Sequence, residues 1–136
     1  MTATQRLRLP ESDPTFGGNK VFDHFQYSPA VTAGGLVFIA GQVGIRSDGS
    51  IPKRAEEQIE LAFKRLGAIL THQELGFEDL VELVSYHVRI DEQLTAFREI
   101  KERFINRDFP TWTILGVASL ARPDLLGEIK AVAAAK

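Results

Sequence analysis

Between Pro52 and Leu75 the apolar residues fall at Ala55, Ile59, Ala62, Phe63, Leu66, Ile69 and Leu70. That i, i+4, i+7, i+8 spacing is one face of a helix. Glu56 and Glu57 suit its positive start, and Gly76 suits a C-terminal cap. Gly67, inside the pattern, predicts close packing against a sheet. From Leu83 to Ile90 the period changes to two: Val84, Tyr86, Val88 and Ile90 alternate with Ser85, His87 and Arg89. The polar side of that strand is expected to line a cleft or a subunit interface. Asp91 then reads as the N-cap of a second helix through Ile105, with Leu94, Phe97, Ile100, Phe104 and Ile105 as its stripe.

Around these helices lie shorter patterns. Arg6 to Leu9 alternates like a first strand. Pro10 to Asn19 is loop by its prolines and glycines, with Phe16, Phe22 and Phe25 expected to pin this region onto the body. Ala30 to Ala33, Gly34-Gly35 and Leu36 to Ala40 spell a β-hairpin, because a two-residue primed turn needs positive φ at both central residues. Gly41-Gln42-Val43-Gly44 leaves bare backbone that a ligand can approach. Pro110 ends the second helical pattern, and Trp112 to Val117 reads as a buried strand. After the break at Ala121-Arg122-Pro123-Asp124, Gly127 to Ala133 is a last strand whose short connection predicts Glu128 near Trp112. The order β-β-β-α-β-α-β-β gives an α+β class, a mixed β-sheet with two helices packed on one face. Residues 1–136 form a single domain in this reading, with 1–20 as an N-terminal strand and loop extension. The uncovered sheet face asks for a second subunit.

Composition narrows the function. A net charge of −2 gives no global pull toward phosphate backbones or an anionic membrane. No apolar run reaches the roughly 20 residues of a membrane helix, and residues 1–6 lack a signal peptide's apolar core. Without cysteine there is neither a disulfide framework nor a thiolate nucleophile. The expectation is a soluble cytoplasmic protein.

The candidate chemistry is sparse. His24, His72 and His87 sit on three elements without metal-ligand spacing, so no metal site is expected; His72 is expected to be solvated. There is no phosphate loop and no Gly-x-Ser-x-Gly elbow. Arg46, Lys53, Arg54, Lys64 and Arg65 read as a solvated helix flank. Glu128 stands out, because it opens a strand of small apolar residues. A half-buried glutamate has a raised pKa and can move a proton or position water. The competing structural reading pairs it with Arg122 or Lys130.

Tyr27-Ser28-Pro29-Ala30-Val31, Gly34, Phe38-Ile39-Ala40-Gly41-Gln42, Leu66 to Leu70, Phe109-Pro110-Thr111, Gly116-Val117 and Glu128 to Ala133 together resemble the Rid/YjgF family, the reactive intermediate deaminases. The resemblance runs from about residue 21 to 135. It implies a chorismate mutase-like fold and a homotrimer with a central β-barrel, with small-molecule clefts between subunits and no cofactor. It also implies hydrolysis of an imine, enamine or related C–N bond, with Glu128 directing water and Tyr27 beside it. Gly41, Ala40, Trp112, Ile114 and Arg98 stand at family cleft positions. The family's deaminases carry an arginine two residues after the proline, where this chain has Trp112, so a 2-imino acid loses its bidentate anchor. Ile114 stands for a frequent cysteine and Ala40 for a serine. Arg122 is a candidate substitute anchor. The alternative is a non-enzymatic trimer that binds a metabolite or a partner protein; an endoribonuclease or translation inhibitor ranks last on charge.

Overall fold

The computed structural model describes residues 3–136, so the first two residues of the expected 1–20 extension lie outside the described residues. In chain order the elements are β1 (Gln5–Arg6), α1 (Lys20–Phe25), β2 (Ala30–Ala33), β3 (Leu36–Val43), α2 (Ala55–His72), β4 (Leu80–Val88), α3 (Leu94–Phe104), β5 (Thr111–Val117) and β6 (Gly127–Ala134). The strands form one six-stranded sheet in the order β1-β2-β3-β6-β4-β5. All neighbours are antiparallel except β4 and β5, which are parallel and joined through α3. The class is α+β, and no helix among the described residues is long and apolar enough to cross a membrane.

The hairpin turn has φ of 60° at Gly34 and 78° at Gly35, as its two glycines predict. Helices α2 and α3 cover one sheet face. Val37, Ile39, Leu83, Ile129, Ala131 and Ala133 from the strands are buried with Phe63, Leu66, Ile69, Leu70, Phe97 and Ile100 from the helices. Phe63 stacks on Phe104 at 5.1 Å, and Phe97 stacks on Trp112 at 5.6 Å, so rings run from α2 through α3 to β5. The opposite face is left open: Phe38 is 48% and Leu115 43% exposed.

Several local expectations give way to tertiary context. Residues 20–25, for which no helix was expected, are helical; Phe22 is buried as expected, but Phe25 is 68% exposed and does not pin the loop. Helix α2 ends at His72, and Gly76 instead begins a 3₁₀ turn over Phe77–Asp79. Gly67 packs tightly against the Phe77 ring, 3.2 Å from where a Cβ would lie, and not against the sheet. Asp91 falls in a 3₁₀ turn (Ile90–Glu92), so α3 starts at Leu94 behind Gln93. Strand β5 is mostly exposed because it forms the sheet edge, with β4 as its single neighbour.

The expected faces of β4 are also reversed in meaning. Ser85 and His87 point at the helices and are fully buried, while Tyr86 and Val88 are only half-buried on the open face. The period of two holds, and the polar side faces the helices within the chain, where a cleft or a subunit interface was expected.

Candidate functional site

The open-face corner of β3 and β6 holds the first candidate group. Pairing between β3 and β6 runs Ile39 to Ala131 and then Gln42 to Ile129, so Ala40 and Gly41 form a bulge opposite Lys130. The bulge turns Gln42 inward, where its amide donates to the Ala40 carbonyl at 3.0 Å. It also opens the Gly41 backbone beneath Glu128. A Cβ at Gly41 would overlap Glu128 Oε2 and lie 2.9 Å from Cδ, so any side chain there would displace the carboxyl. Glycine is required here for approach, not for its φ.

Glu128 is half-buried, and burial pushes its pKa up. Among the described residues it has no ion pair, so the structural pairing with Arg122 or Lys130 is absent; Arg122 instead meets Asp124 at 3.3 Å. Tyr27 follows the left-handed Gln26 (φ 61°) that ends α1, and its ring packs edge-on against Phe22 at 5.0 Å. Burial raises the Tyr27 pKa most; the Arg65 charge opposes that shift, and the Glu128 carboxylate adds to it. Tyr27, Glu128 and Arg65 are thus in electrostatic reach of one another.

Arg65 was hidden by its neighbours in sequence. It is not solvated: its guanidinium lies 4.4 Å from the Phe16 ring centroid and donates to the Ile45 carbonyl at 3.3 Å, and its Nε is buried without a partner. Desolvation pushes its pKa down. The available signal was its place three residues after Ala62 and four before Ile69, at the margin of the apolar stripe.

The second group lies elsewhere. Trp112 and Ile114 are on β5, facing the helix side with Leu83 and Ser85 as register partners, whereas Glu128 pairs with Tyr86 and Val43 on the open face. Strand β4 separates β5 from β6. The expected closeness of Glu128 and Trp112 therefore fails within one chain: the connecting loop is short, but β6 inserts between β3 and β4.

Trp112 is anchored inward. Its Nε1–H donates to Ser85 Oγ at 2.9 Å, and Ser85 Oγ meets His87 Nε2 at 2.8 Å. His87 Nδ1 meets Gln93 Oε1 at 3.0 Å, and the Gln93 amide donates to the Leu126 carbonyl at 2.8 Å. Gln93 Oε1 can only accept, so Nδ1 carries the proton and Ser85 donates to Nε2. The chain is complete with neutral histidine, in keeping with burial lowering the His87 pKa. Ser85 and His87 are closed to solvent and serve no nucleophilic role. His72, expected to be solvated, meets Asp13 at 2.6 Å.

Among the described residues no group of three or more His, Asp or Glu side chains is placed to hold a metal. A concavity of about 550 Å³ is lined by N-terminal residues including Arg8 and Asp23. It contains none of the expected site residues, and Arg8 is already paired with Asp23 there.

Residues 20–135 match the family model described as Endoribonuclease L-PSP. The chain belongs to the YjgF/Rid family. It is 35% identical over 118 residues to the RutC family protein YjgH of Escherichia coli, covering 86% of this chain and 88% of that one. A solved structure of a protein named YJGH superposes with a TM-score of 0.78 at 32% identity, covering 85% of this chain and 88% of its own. A 2-iminobutanoate/2-iminopropanoate deaminase of Dermatophagoides farinae is 26% identical over 98 residues, which is 71% of this chain and 76% of that protein.

Proposed function

We propose that this YjgF/Rid protein is a small-molecule hydrolase of an imine, enamine or related C–N bond, working in clefts between the subunits of a homotrimer with a central β-barrel. The observation that carries the reading is Glu128: a half-buried carboxyl with no ion pair among the described residues, laid over the Gly41 backbone at a bulge. A carboxyl whose pKa is raised by burial holds its proton more readily and can serve in turn as acid and base. Protonated Glu128 donates to the imine nitrogen; its carboxylate then takes a proton from the water that attacks the imine carbon. Glu128 then gives that proton to the amino nitrogen; as the C–N bond breaks, the carbinolamine hydroxyl becomes the carbonyl and returns its proton to the Glu128 carboxylate, leaving a carbonyl compound, ammonia and Glu128 in its starting acid form. Tyr27 orients the water or the leaving nitrogen beside it.

Trimer formation supplies the missing wall. The open face, with Phe38 and Leu115 exposed, is covered in the barrel, and the β5 edge of one subunit, with Trp112 and Ile114, faces the Glu128 corner of the next. The deaminase named among the relatives supports the reaction class. Substrate differs, because Trp112 brings no guanidinium and Arg122 is engaged by Asp124.

A second reading, a non-enzymatic metabolite-binding trimer, draws on the Trp112 anchorage, which fills the family's arginine position with a packed ring. Ribonuclease activity ranks last, as a net charge of −2 gives no pull toward phosphates.

The test is ammonia release from freshly generated small and aromatic imino acids. Hydrolysis faster than buffer and lost in Glu128→Ala supports the hydrolase; no acceleration across the panel favours the binding trimer. Light scattering should give the mass of three 15.1 kDa chains, and a monomer at working concentration would remove the intersubunit cleft.

A further inference from the structure

Beyond the bulge, β3 and β6 pair at only two registered positions, Gln42 with Ile129 and Val43 with Glu128. Two rungs are little to hold a carboxyl against a backbone. One residue of α2 reaches both strands. Gln58 is 0% exposed and is the polar member of that helix's buried face.

Its side-chain amide is satisfied by backbone alone. Nε2 donates to the Pro52 carbonyl at 2.8 Å and to the Asp124 carbonyl at 2.9 Å. Oε1 accepts from the Leu126 N–H at 2.8 Å. Asp124 and Leu126 flank buried Leu125, so the amide meets this strap as a neighbouring strand's peptide would. These two partners lie 66 and 68 residues further along the chain, so no local turn accounts for the glutamine. From the other side the Gln93 amide and the Val88 N–H both donate to the Leu126 carbonyl, at 2.8 and 3.0 Å. Leu126 is thus held at both its N–H and its carbonyl.

The backbone of Gln58 meets the other strand. Gly44, just after β3, lies so close that a Cβ there would overlap the Gln58 Cα and carbonyl oxygen. Gly44 follows Gly41 by three residues, and Leu126 precedes Glu128 by two. At a strand's rise of about 3.3 Å per residue, both fixed points lie within about 10 Å of the corner. A buried helix position ordinarily takes an apolar side chain. A glutamine whose three bonds all go to loop backbone serves to place that backbone.

We propose that Gln58 is a positioning residue for the Glu128 carboxyl: its side chain fixes where β6 begins, its backbone fixes where β3 ends, and together they hold Glu128 over Gly41. The catalytic meaning of this placement rests on the reading of Glu128 as the reacting group. An amide suits the role because it is neutral. It satisfies two carbonyls and an N–H without setting a second charge near Glu128. Burial is the cause of the raised Glu128 pKa, so freeing the start of β6 should let that carboxyl reach water and titrate lower.

The test reads Glu128 directly as well as by turnover. Carbon NMR of the Glu128 carboxyl against pH should show wild type titrating above the ordinary glutamate range. Gln58→Met keeps length and volume but pairs none of the three backbone groups, and its midpoint should fall toward that range. Gln58→Asn, an amide one methylene too short to span all three, should shift it the same way and serves if the Met variant does not fold. Ile69→Val removes a buried methyl about three turns along the same helix and should leave the midpoint unmoved. With an imine that wild type hydrolyses, kcat of the folded Gln58 variants should fall about 10- to 10²-fold, the scale for a displaced reacting group, with KM nearly unchanged. A Glu128 midpoint that shifts no further in the Gln58 variants than in Ile69→Val overturns the proposal, and so does an unchanged kcat. Absence of any hydrolysis by wild type sinks the hydrolase reading, while the carboxyl titration still decides the positioning.

Discussion

Glu128 on β6 and His87 on β4 stand one register step apart, His87 opposite Gly127 and Glu128 opposite Tyr86, yet on opposite faces of the sheet. Burial drives both toward their neutral forms. Their surroundings differ. His87 is 1% exposed, and each ring nitrogen has a partner whose own groups are satisfied in turn. Glu128 has no ion pair among the described residues and looks onto bare Gly41 backbone and an uncovered face. A buried polar group with every bond made is part of the architecture. One kept half-dry and unpaired is a cost to folding that a ligand or water can offset, and that contrast is the ground for proposing Glu128 as the reacting group.

The largest test of the comparison is Glu128→Gln. Turnover of any accepted imine should fall about 10²- to 10⁴-fold, the range for a lost general acid or base. Thermal stability should hold or rise, since no partner is orphaned. If turnover survives, Glu128 loses its distinction from His87. The mirror experiment is His87→Ala, which removes a buried ring and leaves the Ser85 hydroxyl hydrogen and Gln93 Oε1 without partners. It should cost about 2–4 kcal/mol in urea unfolding, with activity of the remaining folded protein largely kept.

Proton linkage separates the two residues by sign. His87 is held below its ordinary pKa, so the unfolded state binds the extra proton, and its contribution is lost as pH falls through about 6.5. Glu128 is held above its ordinary value, so the native state binds the extra proton. Its contribution is present below about pH 4.3 and is lost as pH rises through its raised pKa. Unfolding free energies measured from pH 4 to 8 should therefore fall less with rising pH in Glu128→Gln than in wild type. A wild-type curve identical to that of Glu128→Gln would mean that the carboxyl is not desolvated in the native state.

Much of this was legible in the sequence because it is local. The α2 stripe, the Gly34-Gly35 turn, the α+β order and Glu128 among small apolar residues are periodicities or single-residue facts. What failed was pairing across the chain. Nothing local tells that β6 inserts between β3 and β4, so Glu128 and Trp112 looked like neighbours when they occupy different faces. The polar residues Ser85 and His87 read as lining a cleft or a subunit interface because their partners, Gln93 and Trp112, come from other elements. Arg65 was lost among the lysines and glutamates of its helix, though its margin position on the stripe brings it against Phe16. In each case the side chain's partner lay far along the chain.

The smallest effect sharpens the comparison at its far end. Trp112 closes the His87 network by donating to Ser85, and also stacks on Phe97. Trp112→Phe keeps a ring over Phe97 and under Lys101 but removes the N–H. Ser85 then keeps its bond to His87 and loses one incoming donor. The expected cost is about 1 kcal/mol in urea unfolding, the net worth of one such bond. The loss should add almost nothing to His87→Ala in the double variant, because the two act on one chain of bonds. Full additivity would mean that Trp112 acts through packing alone and that the network ends at Ser85. In that case position 112 is open to change, and Trp112→Arg becomes the variant that can restore an anchor there without unfolding the strand edge.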